Sequence, residues 1–236
     1  MHKIKDNLVL FCGGESQRFT ENVPKPLLKL NDKEIIINYL EQLNFSIFNR
    51  TILLVEENWV KKFNALVTGY KNVEVFEVKN SSSTLQKLKK FIDEYNDHSE
   101  YTIFSYPDIF VAKSYWKQSN KSTNKVVISQ KPLTSRFPRI FTSPFNNKVK
   151  GVSDYNSKVP ANPHYIFAGK FYSNTKFLQN MLETFLSKND YDNLEVSFFD
   201  WLAANGSLVS ESYIDEWIIC DSARDFKEIN DLIKMK

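Results

Sequence analysis

The 236-residue chain has little of several things that would each mark a class of protein. It holds two cysteines, Cys12 and Cys220, far apart in sequence. Two isolated thiols make neither a disulfide framework nor a zinc-ligand spacing. No apolar run reaches the roughly 18 residues that a membrane span needs. The start, Met1-His-Lys-Ile-Lys-Asp-Asn7, lacks the apolar core of a signal peptide, which leaves the cytoplasm as the expected compartment. There is no internal repeat, no linker and no low-complexity tract; Asn80-Ser-Ser-Ser83 is too short to be one. Excess charge of one sign is missing too. Thirty-one basic residues face 28 acidic ones for a net +3, which argues against a protein that coats nucleic acid.

What is present is core. Hydrophobic residues make up 42% and aromatics 14%, 19 of them Phe, so disorder is excluded as a description of the chain. Leu8–Cys12, Thr51–Val55, Val73–Val78 and Tyr101–Ser105 are short apolar runs that read as strands. Between them Glu34–Leu43, Asn58–Val67 and Thr84–Tyr95 carry apolar residues at helical spacing. Strands alternating with helices predict βαβ units and a parallel sheet covered on both faces. Beyond residue 110 the pattern changes. Lys125–Ser129, Arg139–Thr142, Lys148–Val152 and His164–Ala168 read as strands with short connections, more antiparallel in style. Helices over 174–186 and 194–204, a strand at Glu216–Cys220 and a last helix from Ala223 follow. The expectation is one α/β domain over 1–236, Rossmann-like, with a mixed but mostly parallel central sheet flanked by helices. Its parallel half covers about 1–110, and its mixed half about 111–236.

The first strand stops at Gly13-Gly14, at the carboxyl end where an open α/β sheet places its ligand. Glycine lets backbone N–H groups approach phosphate oxygens with no side chain in the way. Arg18 and Lys25 can then neutralise a triphosphate, one as a bidentate fork and the other as a point charge. Over Gly13-Gly14 alone, an ordinary tight turn would look the same. The longer stretch, Phe11-Cys-Gly-Gly-Glu-Ser-Gln-Arg-Phe19 followed by Pro24-Lys-Pro26, is more specific.

That stretch resembles the opening motif of the sugar-1-phosphate nucleotidylyltransferases, Leu-Ala-Gly-Gly-x-Gly-(Thr/Ser)-Arg-(Leu/Phe) and then Pro-Lys-Pro. Leu10, Gly13, Gly14, Arg18, Phe19, Pro24, Lys25 and Pro26 follow the pattern; Cys12 replaces its alanine and Ser16 its third glycine. The resemblance implies the nucleotide-diphospho-sugar transferase fold. It also implies a nucleotide held by Leu10, Cys12, Gly13, Gly14, Glu15 and Ser16, with Arg18 on the triphosphate and Lys25 on the α-phosphate as catalytic cations.

The chemistry such a family performs needs a divalent cation, Mg²⁺ or Mn²⁺, and Mg²⁺ takes one or two carboxylates beside phosphate oxygens and water. Asp108, just past the fourth strand in Phe104-Ser-Tyr-Pro-Asp108, falls where the family has its first metal aspartate. A turn after Pro107 would also explain an aspartate there. Trp217-Ile-Ile-Cys-Asp221-Ser-Ala-Arg224-Asp225 has the spacing of the late Trp-x-x-x-Asp-Thr-x-Arg-Asp segment of the cytidylyltransferase branch. Asp221 is then the second ligand and CTP the nucleotide. Asp225 opens the last helix, where the macrodipole favours a carboxylate.

Ser81–Lys90 occupies the place of the segment that approaches the base in that branch, so Gln86 or Lys87 could read the cytosine; an exposed helix start explains both as well. On the acceptor side, Asn156-Ser-Lys158-Val-Pro160 keeps the lysine of a Glu-Lys-Pro motif and loses its glutamate. Asn162-Pro-His164-Tyr-Ile-Phe167 stands for a strand that admits a sugar ring. Lys158, Asn162, His164 and Glu195 are the candidate acceptor contacts, and Arg136 and Arg139 can add positive charge. The resemblance implies CMP transfer from CTP to a small phosphorylated acceptor with release of pyrophosphate, for capsule or surface polysaccharide. The acceptor is either a sugar-1-phosphate or a phosphoramidate of the phosphoglutamine type. A UTP- or dTTP-dependent enzyme and a regulatory paralogue that binds nucleotide without turnover are the alternatives. No nucleic-acid or membrane partner is expected, and a homo-oligomer is left open.

Overall fold

The computed structural model describes residues 6–13, 23–30, 32–43, 45–79, 81, 83–111, 116, 121–132, 137–143, 146–154, 165–189, 193–213, 217–220, 222, 225–227 and 229. The chain divides into two compact units of discontinuous sequence. The first comprises Met1–Asn80, Ser105–Lys117 and Asp215–Lys236; the second comprises Ser81–Phe104 and Gln118–Ile214.

In chain order the elements are β1 (Asp6–Phe11), β2 (Lys29–Leu30), β3 (Lys33–Glu34), α1 (Ile35–Gln42), β4 (Phe48–Glu56), α2 (Val60–Val67) and β5 (Val73–Val78). Next come α3 (Thr84–Glu94), β6 (Tyr101–Ser105), β7 (Ile109–Val111), β8 (Val126–Pro132), β9 (Arg139–Thr142) and β10 (Val149–Ser153). β11 (Tyr165–Asn174), α4 (Thr175–Leu186), a π-helical turn (Leu194–Phe198), α5 (Phe199–Ala204), β12 (Leu208–Ser212) and β13 (Trp217–Ile219) complete the chain.

In the first unit β1, β4 and β5 pair in parallel, Leu10 opposite Leu53 and Leu53 opposite Val75. All of β1 and Thr51–Val55 of β4 are buried. Continuous apolar runs, without alternation, are what a strand covered on both faces requires. Leu8, Val9, Leu10, Ile52, Leu53 and Leu54 are fully inaccessible, and each buried aliphatic side chain contributes on the order of 1.5–3 kcal/mol. α1 buries Ile36, Tyr39 and Leu40. Its Asn38 amide donates to the Leu30 carbonyl (3.0 Å) and so ties the helix to the β2–β3 hairpin. That hairpin turns at Asp32, φ 65°, a left-handed conformation that Asp tolerates.

The second unit is mixed. β8 runs antiparallel to β11 and parallel to β12, while β9 runs antiparallel to both β11 and β10. The α/β reading, parallel first and mixed later, therefore holds. Phe104 stacks on Phe171 at 4.7 Å between centroids, and Phe171 meets Phe199 edge-on at 5.2 Å. Ser83 caps α3 by accepting the Gln86 N–H, and Asn174 caps α4 by accepting the Phe177 N–H. Of the helix expected from Ala223, Asp225–Lys227 and Ile229 are described and helical. No described helix is long and apolar enough to cross a membrane.

Three details differ from the sequence reading. β11 does not end at Ala168 but continues to Asn174 through Gly169, φ 83°. Register slips there, with Phe167 opposite Gln130 and Phe171 opposite Ile128. Ser129 pins this bulge, its hydroxyl donating to the Lys170 carbonyl (2.9 Å) and accepting the Lys170 N–H (3.1 Å). The helix expected over 194–204 is a π-helical turn followed by a short α-helix. β12 was not expected at all, because its buried positions include Ser210 and Glu211 and break the apolar pattern.

His98 lies edge-on to Phe91 and Tyr95, with Nε2 3.1 Å from the Ile92 carbonyl and a buried Nδ1 that has no partner among the described residues. Burial lowers its pKa, partly offset by the Ile92 carbonyl and Asp97. The folded state thus resists a proton that the unfolded chain takes up near pH 6.5. This stability is complete above that pH and is lost as pH falls below it. Urea midpoints measured from pH 7.5 to 5.5 should fall in the native protein and fall less in His98→Gln.

Candidate functional site

The carboxyl end of β1 opens onto a concavity of about 200 Å³ lined by Phe11, Gly13, Lys25, Pro26, Tyr106, Pro107 and Asp108. All seven belong to the first unit. Cys12 extends the ladder by one bond, its N–H donating to the Leu54 carbonyl at 3.0 Å. The chain leaves the sheet at Gly13, where no Cβ stands between backbone and ligand.

Pro24-Lys-Pro26 holds Lys25 rigidly. Lys25–Leu27 forms a 3₁₀ turn with Pro24 at its N-cap (φ −55°, ψ 138°), and the Leu27 N–H donates to the Pro24 carbonyl at 2.8 Å. Pro26 lacks only an N–H that a helix start leaves unpaired. Buried Leu27 and Leu28 anchor the turn, leaving the ammonium to point into the concavity.

It meets Asp108 there. Lys25 Nζ lies 2.7 Å from Asp108 Oδ2, the side chains 22% and 14% exposed. A third strand segment is locked against this aspartate. β13 pairs antiparallel with β7, Ile219 opposite Ile109, and the Cys220 N–H donates to the Asp108 carbonyl at 2.8 Å. Cys220 itself is fully buried in a cluster with Leu28, Leu30, Ile35, Phe110 and Ile229. The residue before Asp221 is thus bonded to Asp108, two positions that lie more than a hundred residues apart in sequence.

The wall of the concavity is aromatic. Phe11 and Tyr106 pack with centroids 5.3 Å apart and planes tilted by 34°. Phe11, Pro26, Tyr106 and Pro107 were not among the ligand contacts expected from the sequence, although each adjoins one of those or lies two residues away from one. Leu10 is inaccessible within β1 and Cys12 is buried behind the turn, so both back the site and the surface belongs to Phe11 and Gly13.

The remaining candidates divide as follows. Gly14, Glu15, Ser16, Arg18, Phe19, Arg136, Lys158, Asn162, His164, Asp221 and Arg224 lie outside the described residues. Gln86 is exposed in the first turn of α3 and Lys87 buried beside it; Glu195 is the second residue of the π-helical turn; all three belong to the second unit. Asp225 is helical, its N–H donating to the Ser222 hydroxyl at 3.3 Å.

Chemically the concavity joins an approachable backbone, one fixed cation, one half-buried carboxylate and a flat apolar wall. This suits a phosphorylated ligand with a ring. Among the described residues no group of three or more His, Cys, Asp or Glu comes together. The carboxylate in the wall, Asp108, is a hard oxygen donor of the kind Mg²⁺ takes beside phosphate oxygens and water.

No family model matches the chain. The fold, however, is found among solved structures: the inositol-1-phosphate CTP transferase of T. maritima superposes with a TM-score of 0.78 at 15% identity, over 99% of this chain and 97% of that one. HddC of Yersinia pseudotuberculosis superposes with a TM-score of 0.76 at 15% identity, over 98% and 100%. In sequence, the chain is 23% identical over 174 residues to the bifunctional enzyme IspD/IspF of Pelagibacter ubique, 62% of this chain and 47% of that protein. The chain therefore spans about half the length of the curated relative it matches. The fold expected from the Gly13–Pro26 motif is the fold found, over nearly the whole chain.

Proposed function

We propose that the protein is a metal-dependent cytidylyltransferase that moves CMP from CTP to the phosphate of a small acceptor and releases pyrophosphate. The observation that carries this reading is the Lys25–Asp108 pair at 2.7 Å beside Gly13, with Cys220 bonded to Asp108. A cation for phosphate and a carboxylate for metal stand at one point, and the segment that resembles the cytidylyltransferase branch runs beside them. The inositol-1-phosphate CTP transferase among the fold relatives supports the same base.

A phosphate oxygen of the acceptor attacks the α-phosphorus in line, and the bond from the α-phosphorus to the oxygen bridging it to the β-phosphorus breaks. An ionised phosphate needs no general base, so catalysis is positioning and neutralisation of charge. A divalent cation, Mg²⁺ or Mn²⁺, bound by Asp108 and Asp221 would screen the triphosphate. The turn at Gly13-Gly14 offers N–H groups to it, Arg18 grips it, and Lys25 leaves Asp108 for the α-phosphate. Phe11 and Tyr106 bound the nucleoside, and Lys158, Asn162, His164 and Glu195 are the proposed acceptor contacts. The reaction belongs to the cytoplasm, where nucleoside triphosphates are made, and its product to capsule or surface polysaccharide.

Pyrophosphate release tests this, with CTP, UTP, dTTP and GTP each offered with Mg²⁺ and glucose-1-phosphate, inositol-1-phosphate or phosphoglutamine. CTP should support turnover with one acceptor class. Turnover with UTP or dTTP and none with CTP would overturn the base assignment.

A further inference from the structure

Four buried polar atoms of the second unit have no hydrogen-bond partner among the described residues, His98 Nδ1, Gln130 Oε1, Arg139 Nε and Ser153 Oγ, and the last two belong to neighbouring strands. The two residues are register partners on the antiparallel pair β9–β10, so their side chains leave one face of the sheet with Cβ atoms about 5 Å apart. On its other edge Arg139 is the partner of Ile166, and Ile166 is the partner of Lys131 on β8. One row across four strands therefore reads hydroxyl, guanidinium, inaccessible aliphatic, ammonium.

An unpaired buried donor weakens a fold, whereas an apolar residue at the same place would not. Persistence of such a donor points to a ligand that pairs with it. The Nε edge of a guanidinium presents two parallel N–H bonds, the geometry that fits two oxygens of a phosphate. A serine hydroxyl on the neighbouring strand can donate to a third. Ile166, next to Arg139 in the row, is fully buried, and an apolar neighbour that excludes water strengthens a charged contact.

We propose that Arg139 and Ser153 form an anion subsite for a tetrahedral oxyanion, the phosphate or phosphoramidate group of the acceptor. The acceptor assignment rests on the cytidylyltransferase reading; the anion site rests on this row alone. Arg139 is then a residue of the free protein that trades stability for binding.

The test is isothermal titration of inorganic phosphate, glucose-1-phosphate and phosphoglutamine into the protein, alone and saturated with the α,β-methylene analogue of CTP and Mg²⁺. Arg139→Met should weaken phosphate binding about tenfold or more, as loss of a charge-assisted pair requires, and Ser153→Ala severalfold. Analogue affinity should not change, and the thermal midpoint of Arg139→Met should hold or rise. Arg139→Lys should recover part of the loss. Equal weakening of all three ligands assigns the subsite to the oxyanion; weakening of one alone would overturn that. Undiminished phosphate affinity in Arg139→Met, or a lowered midpoint in that variant, overturns the subsite. Failure of the analogue to bind the native protein overturns the nucleotide reading, and the nucleotide-free titrations still decide on Arg139.

Discussion

Asp108→Ala should give a folded protein whose pyrophosphate release with CTP and any acceptor is lower by at least about a thousandfold. The carboxylate is 14% exposed at the concavity wall and 2.7 Å from Lys25 Nζ. It therefore has two roles in the proposed cycle: before nucleotide arrives it positions the ammonium, and afterwards it ligates the cation that screens the phosphates. Removing one preorganised group from a developing phosphoryl charge costs about 3–4 kcal/mol, or roughly 10²–10³ in rate, and here a metal ligand is lost as well. The fold should not suffer. The bond that locks β13 in place is accepted by the Asp108 backbone carbonyl, not its side chain, and the partly exposed Lys25 can turn to solvent. Lys25→Ala should be less severe, on the order of a hundredfold, because the cation and Arg18 still neutralise the triphosphate. Stopped pyrophosphate assays with matched thermal melts read both. Turnover within tenfold of native in Asp108→Ala would remove Asp108 from the metal site.

The sequence showed the site's anchors but not its walls. Gly13, Lys25 and Asp108 were legible because each belongs to a short local motif whose chemistry survives without the fold. That Asp108 and the segment around Asp221 serve one metal was implied by the resemblance, but the strand pairing that joins them was not legible, since it depends on β7, three residues long and just past a turn. Phe11 reads as strand core and Tyr106 as the residue after a strand, and only the geometry at the end of β1 brings both to the wall of the concavity. The second unit was harder. Gly169 gave no sign that β11 would slip register and continue, and β12 buries polar groups that a hydrophobic pattern cannot register. Both are explained by one buried arrangement of three side chains.

That arrangement should dominate the stability of the second unit. The bulge in β11 turns Lys170 inward, 3% exposed, with Nζ 2.6 Å from Glu211 Oε1 on β12. Tyr172 donates its hydroxyl to Glu211 Oε2 at 2.9 Å. Burial holds the lysine pKa below its ordinary value, and the carboxylate offsets that only in part. Glu211→Leu leaves an ammonium in the core, which sheds its proton instead of staying charged. At pH 7 that deprotonation costs at most about 4.6 kcal/mol, from about 1.36 per unit over the roughly 3.4 units to a free lysine's pKa. A loss of about 3–4.5 kcal/mol is therefore expected, and its pH dependence has a definite sign. With Lys170 neutral in the fold and charged in the unfolded chain, the unfolded state binds the extra proton. Stability of the variant then rises with pH, by up to about 1.4 kcal/mol per unit between pH 7 and 10. The combined replacement Lys170→Met, Glu211→Leu and Tyr172→Phe leaves no orphan and should return to within about 2 kcal/mol of native. Urea unfolding of the native protein, the single variant and the triple variant at pH 7 and 9 measures all of this. A Glu211→Leu variant as stable as the native protein at pH 7 would mean that the charges contribute nothing to holding β12 against β8.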